Sequence, residues 1–68
     1  MHIVLNNRAE EIVGKQQITV DELLAYKKFS FKFLVVKING ELVRKEQYGS
    51  TQIRDGDQVV VLHLISGG

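Results

Sequence analysis

The sequence predicts an α+β fold, a mixed sheet with one helix packed on one of its faces. Three observations carry this expectation. Apolar, β-prone runs open and close the chain, polar turn pairs separate the runs between them, and only one segment has helical spacing with a start signal.

The first element is "MHIVLN", where Ile3, Val4 and Leu5 form a β-prone run ended by Asn6 and Asn7. Asparagine tolerates positive φ, so paired asparagines predict a turn. "AEEIVG" is then the return strand of a hairpin, stopped by Gly14. "ITVDELLAYKK" carries the helix. Thr19 is placed as N-cap, Glu22 three residues on completes a capping box, and Ile18 and Leu23 are spaced for a hydrophobic staple. Val20, Leu23, Leu24 and the stem of Lys27 line one face at helical spacing, which predicts about three turns. "FKFLVVKING" returns to a strand pattern and ends on Asn39-Gly40, a strong hairpin turn signal. In "ELVRKEQYGST", Leu42 and Val43 form a brief edge strand and Tyr48 packs nearby. "RDGDQVVVLHLI" places a tight turn at Asp55-Gly56-Asp57 before the last strand.

The order is strand, strand, helix, strand, short strand, strand. The first and last strands are the most apolar and are expected side by side at the centre of the sheet. A hairpin, a helical crossover and a return to the sheet give the β-grasp topology, the fold of ubiquitin. By analogy with that fold, Ile3, Leu5, Val36, Ile38, Val59 and Val61 face the helix. Side chains alternate across a sheet, so Val4, Val35, Val60, Leu62 and Leu64 point the other way. An apolar patch on the outside of a small domain marks a partner surface, and Val4, Val60, Leu62 and Leu64 are its candidates.

Composition bounds the chemistry. The 68 residues are expected to form one domain, residues 1–68, with a modest core, and 44% of them are apolar. There is no cysteine, hence no disulfide and no thiolate metal site. His2 and His63 lie far apart without acidic partners at ligand spacing, so no metal or bound cofactor is expected. The formal net charge of +1 gives no electrostatic footprint for nucleic acid or an anionic membrane. Lys27, Lys28 and Lys32 are read as a solvated helix end, where cations suit the helix dipole. The longest apolar run is too short for a bilayer and no signal peptide is visible, so a cytoplasmic protein, monomeric when free, is expected.

No catalytic set emerges. Ser30, Ser50 and Ser66 lack a histidine and acid arrangement, and Gly14-Lys15 lacks the glycine-rich frame of a phosphate loop. Asp55 and Asp57 flank a turn glycine and are read as turn residues. A domain of this size is not expected to be an enzyme.

The remaining feature is the end of the chain, "LHLISGG". Without side chains, Gly67 and Gly68 can take nearly any backbone conformation and thread a narrow channel in another protein. The Gly68 carboxylate is anionic at neutral pH and a poor electrophile. It must be activated to react, and transfer of AMP from ATP is the biological way. A residue with no Cβ lets the carboxylate approach the α-phosphate without a clash. Ser66 and Gly67 are the expected recognition residues beside it.

The chain resembles the ThiS/MoaD family of ubiquitin-like β-grasp proteins, and within it the ThiS-type sulfur carriers of thiamine biosynthesis. "TVDELL", "INGELVRKEQY" and "IRDGDQVVVLHLISGG" carry the resemblance, which covers essentially the whole chain. The charge order of "RKEQY" and a longer loop at "GKQQI" depart from the family pattern, and neither touches the tail. The resemblance implies an E1-like adenylating enzyme (ThiF type) that uses ATP to convert Gly68 to an acyl-adenylate. Sulfur from a cysteine desulfurase then replaces AMP to leave a thiocarboxylate, which donates sulfur to thiazole synthase (ThiG type). Three other readings remain open on the sequence: a molybdopterin synthase small subunit with the same tail chemistry, a ubiquitin-like modifier joined through Gly68 to a lysine, and a β-grasp interaction or RNA-binding module.

Overall fold

Residues 1–29 and 33–63 are described by a computed structural model of the chain. The elements run β1 (His2–Leu5), β2 (Arg8–Glu11), β3 (Gln17–Thr19), α1 (Val20–Tyr26), β4 (Leu34–Ile38), β5 (Glu41–Val43), a 3₁₀ turn at Lys45–Gln47, β6 (Gln52–Arg54) and β7 (Gln58–His63). Five strands form one sheet in the order β2-β1-β7-β4-β5. β1 and β7 are parallel neighbours, and every other pair in that sheet is antiparallel. The first and last strands are therefore adjacent in the middle of the sheet. The fold is a β-grasp.

The turns follow from residue type. Asn6 and Asn7 have φ of 51° and 66°, and Asn39 and Gly40 have 51° and 85°. Positive φ at both central residues twists a two-residue hairpin to match its strands, which is why asparagine and glycine stand there. Both asparagine side chains also extend the ladder of β7. Asn6 accepts from the Val61 N–H at 2.8 Å and donates to the Val61 carbonyl at 3.1 Å. Asn39 accepts from the Gln58 N–H at 2.9 Å and donates to Asp57 at 3.1 Å. At the third turn, Asp57 accepts from the Arg54 N–H at 2.8 Å, and Asp55 accepts from the His2 N–H at 2.7 Å. The two aspartates thus hold backbone, as the turn reading expects.

The start of α1 satisfies all its exposed donors. Thr19 and Glu22 form the capping box, with Thr19 N–H donating to Glu22 at 2.8 Å and Glu22 N–H donating to the Thr19 hydroxyl at 3.1 Å. The Val20 and Asp21 N–H groups donate to the carbonyls of Thr51 and Tyr48 at 3.1 and 3.0 Å. Four donors left over by helix geometry therefore have partners. Thr19→Ala should cost about 1 kcal/mol, measured as a lower urea midpoint at unchanged m. The hydrogen bonds from Thr19 hold the Glu22 carboxyl below its ordinary value of 4.5. A depressed folded pKa means stability that is present at neutral pH and lost as the pH falls below that ordinary value. Glu22→Gln, which can still close the box, should show a shallower loss of Tm on acidification than the wild type.

The helix is shorter than its sequence pattern predicts, seven residues rather than about three turns. Lys27 is its C-cap, and Lys28 takes a φ of +59°. The Phe29 N–H donates to the Leu24 carbonyl at 2.8 Å and the Lys28 N–H to the Ala25 carbonyl at 3.1 Å, a Schellman ending. Phe29 packs against the core, and that burial stops the helix where no glycine signals it. Lys27 and Lys28 accordingly lie at and just beyond the cap, not in the last turn, and Lys27 bonds Glu10 of β2 at 2.9 Å. A side chain in the left-handed region costs about 1–2 kcal/mol, partly offset on glycine substitution by a freer unfolded chain. Lys28→Gly should thus raise stability by about 0.5–1 kcal/mol in urea unfolding, whereas Lys28→Ala should not.

A second, two-stranded sheet of β3 and β6 was not expected from the sequence. It pairs Ile18 with Ile53, both buried. Val20, Leu23 and Leu24 of the helix join Ile3, Leu5, Val36, Val59 and Val61 of the large sheet in one buried cluster. Ile18 and Leu23, spaced for the staple, are both in it, and Ile38 and Tyr48 pack against it half-buried.

Candidate functional site

Strand β7 ends at His63, opposite Leu34 at the start of β4. In sequence the tail follows directly on this strand. Leu64, Ser66, Gly67 and Gly68 lie outside the described residues, as does Lys32.

The face of the sheet turned away from α1 is set by strand alternation. In β7, Val59 and Val61 are buried, while Val60 is half-buried and Leu62 is 50% exposed. In β1, Ile3 and Leu5 are buried and Val4 is 38% exposed. Register then brings the outward residues together. Leu62 stands opposite Val35 and Val60 opposite Lys37 across β7 and β4. Lys37 stands opposite Leu42 across β4 and β5, and Val4 stands opposite Gln58 across β1 and β7. Directly opposed side chains lie about 4.5–5.5 Å apart at Cβ, close enough to form one surface. Val4, Val60 and Leu62 thus lie on the outer face together with Val35.

Sequence reasoning did not place Leu42 or Lys37 on this face. Leu42 is 60% exposed and Lys37 is exposed. The signal was present: a two-residue Asn39-Gly40 loop fixes Ile38 opposite Glu41, and hence Lys37 opposite Leu42. Among the described residues, the groups with perturbed titration lie elsewhere, at and beside the start of α1. There the Glu22 carboxyl is lowered, and burial followed by the Asp21 charge raises the Tyr48 phenol. Among the described residues no three His, Asp or Glu side chains gather at metal-binding distance, and no helix is long and apolar enough to cross a membrane.

What the described architecture offers is a largely apolar outer sheet face on the strand that precedes the Gly-Gly end in sequence. Comparison with known proteins identifies the family. The ThiS family model matches residues 3–68. The chain is 32% identical to the sulfur carrier protein ThiS of Escherichia coli (strain K12) over 68 residues, all of both chains. It is 32% identical to the sulfur carrier protein ThiS of Bacillus subtilis (strain 168) over 50 residues, 74% of this chain and 76% of that one. A crystal structure of the thiamine biosynthesis protein ThiS from Geobacter metallireducens superposes with a TM-score of 0.90 at 30% identity, covering the whole of both chains. A solution structure of a thiamine biosynthesis protein from the same organism gives 0.81, also at 30% identity, over all of this chain and 88% of that one. With a family match through Gly68 and the same fold over its full length, the chain belongs to the ThiS family.

Proposed function

We propose that this chain is a sulfur carrier of thiamine biosynthesis, one carrier domain over residues 1–68 whose reacting group is the Gly68 carboxylate. The observation that carries the reading is the family match, which runs through the Gly-Gly end and not only through the folded strands. The full-length relative from Escherichia coli carries the same named role.

The chemistry follows from what a carboxylate lacks. As an anion it resists attack by a sulfur nucleophile. An E1-like adenylating enzyme (ThiF type) supplies ATP, a Gly68 oxygen attacks the α-phosphorus, and pyrophosphate leaves. The terminal sulfur of a persulfide made by a cysteine desulfurase attacks the acyl carbon and AMP departs. A thiol then cleaves the resulting acyl disulfide, itself going to a disulfide, to leave a thiocarboxylate on Gly68. Thiazole synthase (ThiG type) is the acceptor. Ser66 and Gly67 present the carboxylate in the partner's channel, and Val4, Val60, Leu62 and Leu64 form the docking face. The chain itself is a co-substrate, working in the cytoplasm as a monomer when free.

The test is intact mass. Incubated with ATP, the adenylating enzyme and a sulfur source, the protein should gain the mass difference between sulfur and oxygen, confined to the C-terminal peptide. No gain with an enzyme that charges another carrier in parallel would remove the reading.

A further inference from the structure

The outward side chains of β4, β5 and β7 are apolar or neutral except one. Val35, Leu42, Val60 and Leu62 surround Lys37, which stands directly opposite both Val60 and Leu42. Lys37 has no ion pair among the described residues. Among the described strand residues, register places one carboxylate on the outer side of the sheet, Glu11, at the far corner on β2 and 4.0 Å from His2. Three strand spacings separate β2 from β4, more than about 14 Å. That exceeds the Debye length of about 8 Å at physiological salt, so Glu11 does not neutralise Lys37.

In the free chain this costs nothing, because the ammonium is in water. Docking changes the terms. A partner that covers Val60, Leu42 and Leu62 also strips water from the lysine between them, and a buried ammonium without a counter-charge is strongly unfavourable. The geometry points to a partner surface that is apolar with a single carboxylate set to meet Lys37, and we assign that surface to the adenylating enzyme. The tail must reach that enzyme before any sulfur is carried, and β7, which bears the tail, is the strand beside Lys37. This rests on the sulfur-carrier reading and adds to it a specificity residue. Apolar neighbours supply area, while the charge rejects surfaces that lack a carboxylate at that point.

The experiment measures the affinity of the intact chain for its cognate adenylating enzyme by calorimetry, with ATP–pyrophosphate exchange in parallel. Lys37→Glu should weaken binding by at least about 30-fold, the usual cost of breaking a desolvated charge pair. Lys37→Met, which keeps the strand and the apolar area, should also weaken binding and should flatten its dependence on salt. Both variants should unfold at the wild-type temperature, since the residue is exposed. In each, the KM for the carrier should rise while kcat at saturation holds. Reversing the enzyme's facing carboxylate to lysine should restore binding of Lys37→Glu. Wild-type binding that neither variant alters would overturn this inference alone. A wild-type chain that neither binds nor supports exchange would overturn the carrier reading and this inference with it.

Discussion

One alanine appended after Gly68 should abolish ATP–pyrophosphate exchange with the adenylating enzyme while leaving thermal unfolding unchanged. The added residue moves the carboxylate outward by about 3.3–3.6 Å, the span of one extended residue. It also places a methyl group beside the reacting carbon. A misplacement of about 1 Å can cost on the order of 100-fold in rate, so a shift three times larger should leave no measurable exchange. Gly67→Val should behave the same way, because a β-branched side chain would enter a channel sized for bare backbone. Neither change reaches the core, whose last described buried residue is Val61. Stability should therefore stay within about 0.5 kcal/mol of wild type. Normal exchange by both variants would show that the terminal carboxylate is not the reacting group.

The fold was legible where a few residues dictate local geometry. Thr19 and Glu22 announce a helix start because their side chains bond each other's backbone, and nothing distant is required. Asn6-Asn7 and Asn39-Gly40 announce hairpins because their conformations suit few other residues. Two features were not legible, for different reasons. Strands β3 and β6 are three residues each with one buried isoleucine apiece, too short for an alternation to stand out from a loop. They exist because Ile18 and Ile53 meet across the pair and enter the common cluster. The end of α1 falls where Phe29 turns into the core, which forces Lys28 into a conformation that its residue type does not predict.

The candidate face shows the same division. The inward and outward rows of β7 came from analogy with the ubiquitin fold, because Val59 to Leu62 are all apolar and strand alternation alone does not say which row is buried. Leu42 and Lys37 needed the register of a neighbouring strand, which exists only once the turn has been given a length. Register also explains why Lys37 escaped notice. Among "LVVKI" it looks like an ordinary solvent-facing residue, and its setting is made by Val60 and Leu42 from other strands.

Leu62→Glu should separate docking from chemistry. Leu62 is half exposed, points away from the core and stands opposite Val35, so a carboxylate there remains in water in the free chain. The domain should keep its fold, with a change in stability of no more than about 1 kcal/mol from altered strand propensity. In a complex that covers this face, the same carboxylate is pressed against apolar surface without a partner. The expected penalty is that of a lost interface anchor, at least about 2 kcal/mol, or about 30-fold in Kd. Leu62→Met conserves volume and should bind nearly as wild type. Kinetically, the loss should appear as a raised KM for the carrier with kcat at saturation preserved, because the face binds the ground and transition states alike. The alanine extension should instead abolish turnover at every carrier concentration, since it displaces the carboxylate that reacts in the proposed step. Unfolding of Leu62→Glu would place the residue in the core, against its exposure. Unaltered binding would mean that the partner holds the chain by its tail alone, and the apolar outer face would then have no part in docking.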